Sequence, residues 1–236
     1  FRITETNGAS NTKLGGTVQL SSTVYAVSGQ AQMLLTAGTH TGNVTVTVST
    51  GTDGDSLTPA VLNLSLVAGP ADRIVLESSD TQIKANGISV ATITVKLTDA
   101  NNNVLPDRTD TVSLSISSSG RFNDGSVDSS VQLTAGAGTI LVKTVKSDNE
   151  VYPLVYPGVV TVTGTVSGLT PGNISIPSIQ GPAVKIKLVS DKSSIKSDPN
   201  KSDTAIITAY AVDNDNVRVP GTIDTLTFHV QSGPGQ

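Results

Sequence analysis

The sequence predicts an all-β protein in which antiparallel β-sandwiches follow one another in a linear array, and three observations carry that expectation. Apolar and hydroxyl side chains alternate along short runs. In GNVTVTVST, Val44, Val46 and Val48 fall on one side of the chain and Thr45, Thr47 and Ser49 on the other, which is the period of two expected of a strand with one face buried. No apolar period of 3.6 residues persists anywhere, so helices are not expected. Finally, the sequence repeats itself. ADRIVLESSDTQIKANGISVATITVKLTDANNNVLP, from Ala71, returns loosened as AVKIKLVSDKSSIKSDPNKSDTAIITAYAVDNDNVRVP, from Ala183, each after a Gly-Pro, at a spacing of 181 − 69 = 112 residues. Such internal repetition signals consecutive copies of one folded unit.

The repeat divides the chain into residues 1–70, the second half of a copy; residues 71–182, a complete copy; and residues 183–236, a first half. In the first segment FRITETNG, TVQLSSTVYAV, AQMLLTAG, GNVTVTVST and AVLNLSLVAG are expected strands between Gly, Asn, Asp and Pro clusters. VYAVSGQAQMLLTA, from Val24, matches VQLTAGAGTILVKT, from Val131, and GNVTVTVSTG, from Gly42, matches GVVTVTGTVSG, from Gly158. In the complete copy the expected core positions are Ile74 with Leu76; Ile93, Val95 and Leu97; Val112, Leu114 and Ile116; Val131 with Leu133; Ile140 with Val142; Val160 with Val162; and Ile174 with Ile176. Seven or eight short strands in about 110 residues is the pattern of two packed antiparallel sheets, and an immunoglobulin-like fold follows as the leading expectation. The junctions LVAGPADRI and PSIQGPAVKI place Pro at the start of an entering strand. Pro fixes φ there, which predicts short, stiff joints.

Phe1, Leu114 and Phe228 begin FRITETNG, LSISSSG and FHVQSGPG in one phase, so both chain ends cut through a sandwich. A half sandwich exposes its inner apolar face and unpaired strand edges. Two completions are open: the chain is an excerpt of a longer array, or residues 1–70 of one molecule pair head to tail with residues 183–236 of another.

Composition excludes several functional classes. The net charge of −4 offers no electrostatic reason to expect a nucleic acid or an anionic membrane as partner. The absence of cysteine removes disulfides and thiolate metal sites. No apolar run approaches the ~20 residues of a membrane helix, so direct membrane insertion of this segment is not expected. Aromatic residues are 3% of the chain and Trp is absent, which argues against a carbohydrate-stacking platform. No GxSxG, HExxH or GxxxxGK[ST] motif occurs, and no catalytic residue or cofactor site is expected.

The candidate sites are few. Asp99, Asn101 and Asn103, and again Asp213 and Asp215, place oxygen ligands at alternate positions that a structural calcium ion can use. The same residue types make good turns, and that is the expected role. Asp72 and Asp191, near the joints, extend the calcium reading. His40 and His229 are expected to be exposed, and AGAG at residues 135–138 to be a hairpin turn. Asn43, Asn63, Asn173 and Asn200 each begin an N-x-[ST] glycan acceptor sequence. Tyr152 and Tyr156, in EVYPLVYP, are candidate contact residues. Lys96 and Lys143 are expected to face outward, away from any side-chain isopeptide bond.

The run from Ile83 to Pro106, IKANGISVATITVKLTDANNNVLP, followed by a strand ending at Ser119-Gly120, then VQLTAGAGTILV and GVVTVTGTVSG, resembles the bacterial immunoglobulin-like repeats of the invasin and intimin group. The likeness touches all three segments and is looser in the third, where Lys-Ser-Asp-Pro replaces Lys-Ala-Asn-Gly. Asn102 stands where the family has Gly, and DNEVYPLVY is an insertion relative to the first segment. The resemblance implies an extracellular, cell-surface or secreted, non-catalytic stalk or adhesin segment. Its partners would be neighbouring repeats or further copies, or a host or cell-surface protein or glycan. A self-assembling filament or surface-layer subunit, and an accessory module of a larger carbohydrate-active enzyme, are the alternatives.

Overall fold

The computed structural model describes residues 1–6, 9–15, 21–50, 57–145, 157–197, 203–221 and 225–230. These are all-β, and no helix among them is long and apolar enough to cross a membrane. The strands of the first segment are β1 (Arg2–Thr6), β2 (Lys13–Leu14), β3 (Leu35–Thr36), β4 (Gly42–Val48) and β5 (Ala60–Leu66). The middle segment holds β6 (Arg73–Ser78), β7 (Ile83–Lys84), β8 (Val90–Thr98), β9 (Thr111–Ile116), β10 (Gly120–Phe122), β11 (Asp128–Gln132), β12 (Ala137–Thr144), β13 (Val159–Thr165) and β14 (Gly172–Ile179). The last segment contributes β15 (Lys185–Ser190) and β16 (Ile207–Val212).

The middle segment is a sandwich of a four-stranded sheet, β10-β12-β8-β6, and a five-stranded sheet, β11-β9-β13-β14-β7. All its pairings are antiparallel except β7 on β14, so the entering chain gives β6 to one sheet and crosses to the other as β7. Alternation explains the core. Along β8 every second residue points inward, and Ala91, Ile93, Val95 and Leu97 are buried against Val112, Leu114, Leu133, Val142, Val162 and Ile176. Phe122 fills the same core from β10. Each large aliphatic side chain so buried is worth roughly 1.5–3 kcal/mol. Of the expected core positions, Ile116, Ile140 and Ile174 are half-buried at its margin.

The pairings recur along the chain. The three-stranded sheet β1-β4-β5 reproduces β9-β13-β14: Ile3 pairs with Val46 as Ile116 pairs with Val162, and Val44 with Leu64 as Val160 with Ile176. β2 pairs with β3 as β10 pairs with β12, with Leu14 opposite Leu35 where Phe122 is opposite Val142. β15 pairs with β16 as β6 pairs with β8. Even the turns repeat. Val27 and Gln30 exchange both backbone hydrogen bonds around Ser28 (φ 52°) and Gly29 (φ 78°), and Thr134 and Ala137 do the same around Ala135 (φ 50°) and Gly136 (φ 74°). Two consecutive positive φ values make the type I′ turn that matches strand twist, so AGAG is a hairpin turn.

The outer segments are open. Strand expectation fails for most of TVQLSSTVYAV, where residues 21–27 have only bridges at Ser21 and Val27, and Tyr25 is exposed. In AQMLLTAG only Leu35 and Thr36 join a ladder. Alternation sets which side of a strand is apolar, but a ladder forms only where a neighbour supplies the other edge. Among the described residues, Lys13–Leu14 supplies that edge for Leu35 and Thr36 alone.

Candidate functional site

The two places where segments meet are the candidate site, and each is built on an Asp turn. At the first, Asp99 follows β8 and closes a three-residue loop: its N–H donates to Asn103 O (3.0 Å), and Asn102 N donates to Asp99 O (3.0 Å). Asn102 has φ 65°, the left-handed conformation that Asn and Gly tolerate. At the second, Asp213 N donates to Val217 O (3.0 Å), Asn216 N to Asp213 O (3.2 Å), and Asn216 has φ 62°. The two turns are the same structure, a type I turn closed by a left-handed residue.

The Asp99 carboxylate is buried and fully engaged. Oδ1 accepts the N–H groups of Asn101 (2.9 Å) and Asn103 (2.9 Å), and Oδ2 accepts Gly69 N (2.8 Å) and Asn103 Nδ2 (2.9 Å). Burial acts to raise its pKa; the Asn103 amide and the backbone donors of Gly69, Asn103 and Asn101 outweigh that and hold it at about 2. The bond from Gly69 ties the residue before Pro70 to the turn, so the Gly-Pro joint is held by the carboxylate. Asn103 reaches further: Nδ2 also donates to Thr39 O (2.8 Å), and Oδ1 accepts Thr41 N (3.1 Å). One amide thus bridges the first and middle segments.

The second joint uses the same acid and a different clasp. Asp213 Oδ1 accepts Asp215 N (2.9 Å) and Val217 N (2.9 Å). A Cβ added at Gly181 would lie 3.1 Å from Asp213 Oδ2, so the chain before Pro182 also passes directly against the carboxylate. Val217, in the place of Asn103, is buried with Ala85. Asn86 Nδ2 donates to Asp215 Oδ2 (2.9 Å), so the Lys-Ala-Asn-Gly turn of the middle segment covers the Asp turn of the last. Gln180 Nε2 donates to Arg218 O, and the Arg218 guanidinium lies 5.0 Å from the centre of the Tyr210 ring.

The five calcium candidates therefore gather at two joints, Asp99, Asn101 and Asn103 at one and Asp213 and Asp215 at the other. Among the described residues, no group of three or more acidic or histidine side chains converges as a metal site would require. Asp72 pairs with Arg73 (2.6 Å), and Asp191 Oδ1 accepts Ile206 N (2.7 Å) within its own hairpin. A cavity of about 350 Å³ opens beside the first joint, lined by Thr39, His40, Leu66, Asp99, Asn101 and Asn103 among others. His40 is exposed at its rim, its Nδ1 within 2.7 Å of Ser10 Oγ and 3.0 Å of Thr39 Oγ1; His229 is exposed as well.

The other candidates lie apart. Asn43, Asn63 and Asn173 are exposed on strands. Asn43 Oδ1 accepts Ser65 Oγ (3.3 Å), and Asn63 Oδ1 accepts Thr45 Oγ1 (2.8 Å). Asn200, Tyr152 and Tyr156 fall outside the described residues. Lys96 pairs with Glu77 (2.6 Å), and Lys143 Nζ donates to Asn123 O (2.9 Å). What the sequence did not reveal are Gly69, Thr39, Thr41 and Asn86, whose bonds to the Asp turns span 30, 64, 62 and 129 positions. Of these only Gly69 had a signal, the recurrence of Gly-Pro ahead of each copy.

No protein-family model matches the chain, and the search of curated proteins returns no match. Solved structures overlap it loosely. A glycosyl hydrolase family 2 member from Bacteroides cellulosilyticus is 22% identical over 63% of this chain and 18% of its own, at a TM-score of 0.41. A beta-glycosidase from Bacteroides vulgatus is 16% identical over 70% of this chain and 20% of its own, at 0.40. A beta-glucuronidase from glycoside hydrolase family 2 is 19% identical over 74% of this chain and 18% of its own, at 0.41. The chain spans about a fifth of each, and overlaps this loose carry no argument about function.

Proposed function

We propose that the chain is a non-catalytic structural segment of consecutive immunoglobulin-like sandwiches, divided at residues 70 and 182, that spaces or presents a binding surface outside the cell. The observation that carries this is the recurrence of one joint: a buried Asp turn set against the Gly-Pro that leads into each new copy. A carboxylate holding the joint restricts the angle between neighbours, and restricted joints make a rod. The resemblance to invasin-type repeats supports the same reading and a cell-surface location.

Small-angle scattering of the dilute chain tests it. A single globule of 236 residues has a radius of gyration of about 18 Å. The expected value is well above that, with a distance distribution skewed to long separations; a value near 18 Å would end the spacer reading.

A further inference from the structure

The residue of the middle segment that clasps the second joint, Asn86, is followed by glycine. Asn-Gly loses its side-chain amide readily without any enzyme, because the glycine nitrogen stands within reach of the asparagine Cγ and no Cβ on the glycine shields it. The chain has two such pairs, Asn86-Gly87 and Asn7-Gly8, the latter outside the described residues.

In the closed joint every group the reaction needs is held. Asn86 Oδ1 accepts Ile88 N (3.0 Å) and Ser89 N (2.8 Å), and Nδ2 donates to Ser89 Oγ (3.0 Å) and Asp215 Oδ2 (2.9 Å). The residue is only 4% exposed. The attacking nitrogen is held as well: Gly87 N donates to the buried Thr144 Oγ1 (2.9 Å), which itself donates to Lys84 O (3.3 Å). Ala85 N donates to Ile179 O (2.7 Å), and Ala85 is buried with Val217. The turn is therefore fixed on one side by its own sandwich and on the other by the last segment, through Asp215 and Val217. Only the second set of contacts is lost when the joint opens.

We propose that Asn86 is a deamidation site guarded by the second joint, so that opening the joint starts a reaction whose product keeps it open. Once Nδ2 has lost its carboxylate partner, Cγ turns toward Gly87 N. That nitrogen gives its proton to water or hydroxide and bonds to Cγ; the Cγ–Nδ2 bond breaks, and Nδ2 leaves as ammonia, taking a proton from water. Water then opens the five-membered succinimide to aspartate or isoaspartate, so one water is consumed and one ammonia released, with no oxidant or reductant. The product places a carboxylate where a donor had been, facing Asp215 Oδ2, and two like charges at that distance repel. Isoaspartate also lengthens the backbone of a turn in which Gly87 holds φ 68°. The inference goes beyond the spacer reading, since the reaction requires the joint and not any particular role for the rod.

Incubating the full chain at mildly alkaline pH, with peptide mapping that separates asparagine, aspartate and isoaspartate, reads the rate at residue 86; Asn7 is an internal reference. Asp215→Ala, at an exposed position, should raise the rate at Asn86 about tenfold, the equivalent of one hydrogen bond to a charged group, and leave the rate at Asn7 unchanged. The chain in denaturant should react faster still at Asn86. The consequence for the joint is read with spin labels at Ser113→Cys and Ser190→Cys, exposed positions in the middle and last segments of a chain that has no cysteine of its own. The distance distribution between them should be narrow in the otherwise native chain and broad in Asn86→Asp. It should narrow again in N86D/D215N, where amide and carboxylate have exchanged places. Equal rates at Asn86 with and without Asp215, a native rate matching that in denaturant, a distribution unchanged by Asn86→Asp, or no recovery in N86D/D215N would each overturn the proposal.

Discussion

The Asp99 carboxylate is buried yet charged because four N–H donors converge on its two oxygens. Its folded pKa of about 2 lies below the ordinary 3.8, so its contribution is fully present above about pH 4 and is lost as pH falls through 2. That difference amounts to about 2 kcal/mol. Thermal melts from pH 5 to pH 2 should therefore converge for the native protein and Asp99→Asn as acid is added, with the native protein ahead by that amount near neutrality. A constant gap across this range would show that the carboxylate charge plays no part. At this scale the turn was legible in Asp-Ala-Asn-Asn-Asn, since Asp and Asn favour such loops by bonding their own backbone. The Gly69 donor was not, because nothing local marks a partner 30 positions away.

Strands were legible where both faces of the argument, alternation and neighbours, agree. β8 shows it best: its alternate residues are buried in the order the sequence predicts. β5 and β15 carry the same alternation and remain exposed, because burial needs a second layer that alternation cannot supply. The contrast is measurable with one residue type at two equivalent positions. Ile93 is fully buried and Ile207 half exposed. In dilute solution Ile93→Ala should destabilise by about 2–5 kcal/mol, and Ile207→Ala by about 0.5 kcal/mol or less. Equal losses in denaturant titrations would mean that the ribbon is already covered in the lone chain.

For the whole molecule, a closed sandwich flanked by open pieces should not melt as one unit. Calorimetry of the dilute chain should show a lower transition for the open segments and a higher one for the middle. A single cooperative transition would show that the three segments unfold as one unit.

The sequence alone determined the all-β class, the apolar side of each ribbon and the sites of the Asp turns, because these follow from side-chain period and from backbone preferences a few residues long. The tertiary structure decided which donors the buried carboxylate meets, how Asn103 and Asn86 clasp neighbouring segments, and which apolar faces stay open. Those depend on residues up to 129 positions apart, where contact is set by how sheets stack and by which neighbour is present to stack on them.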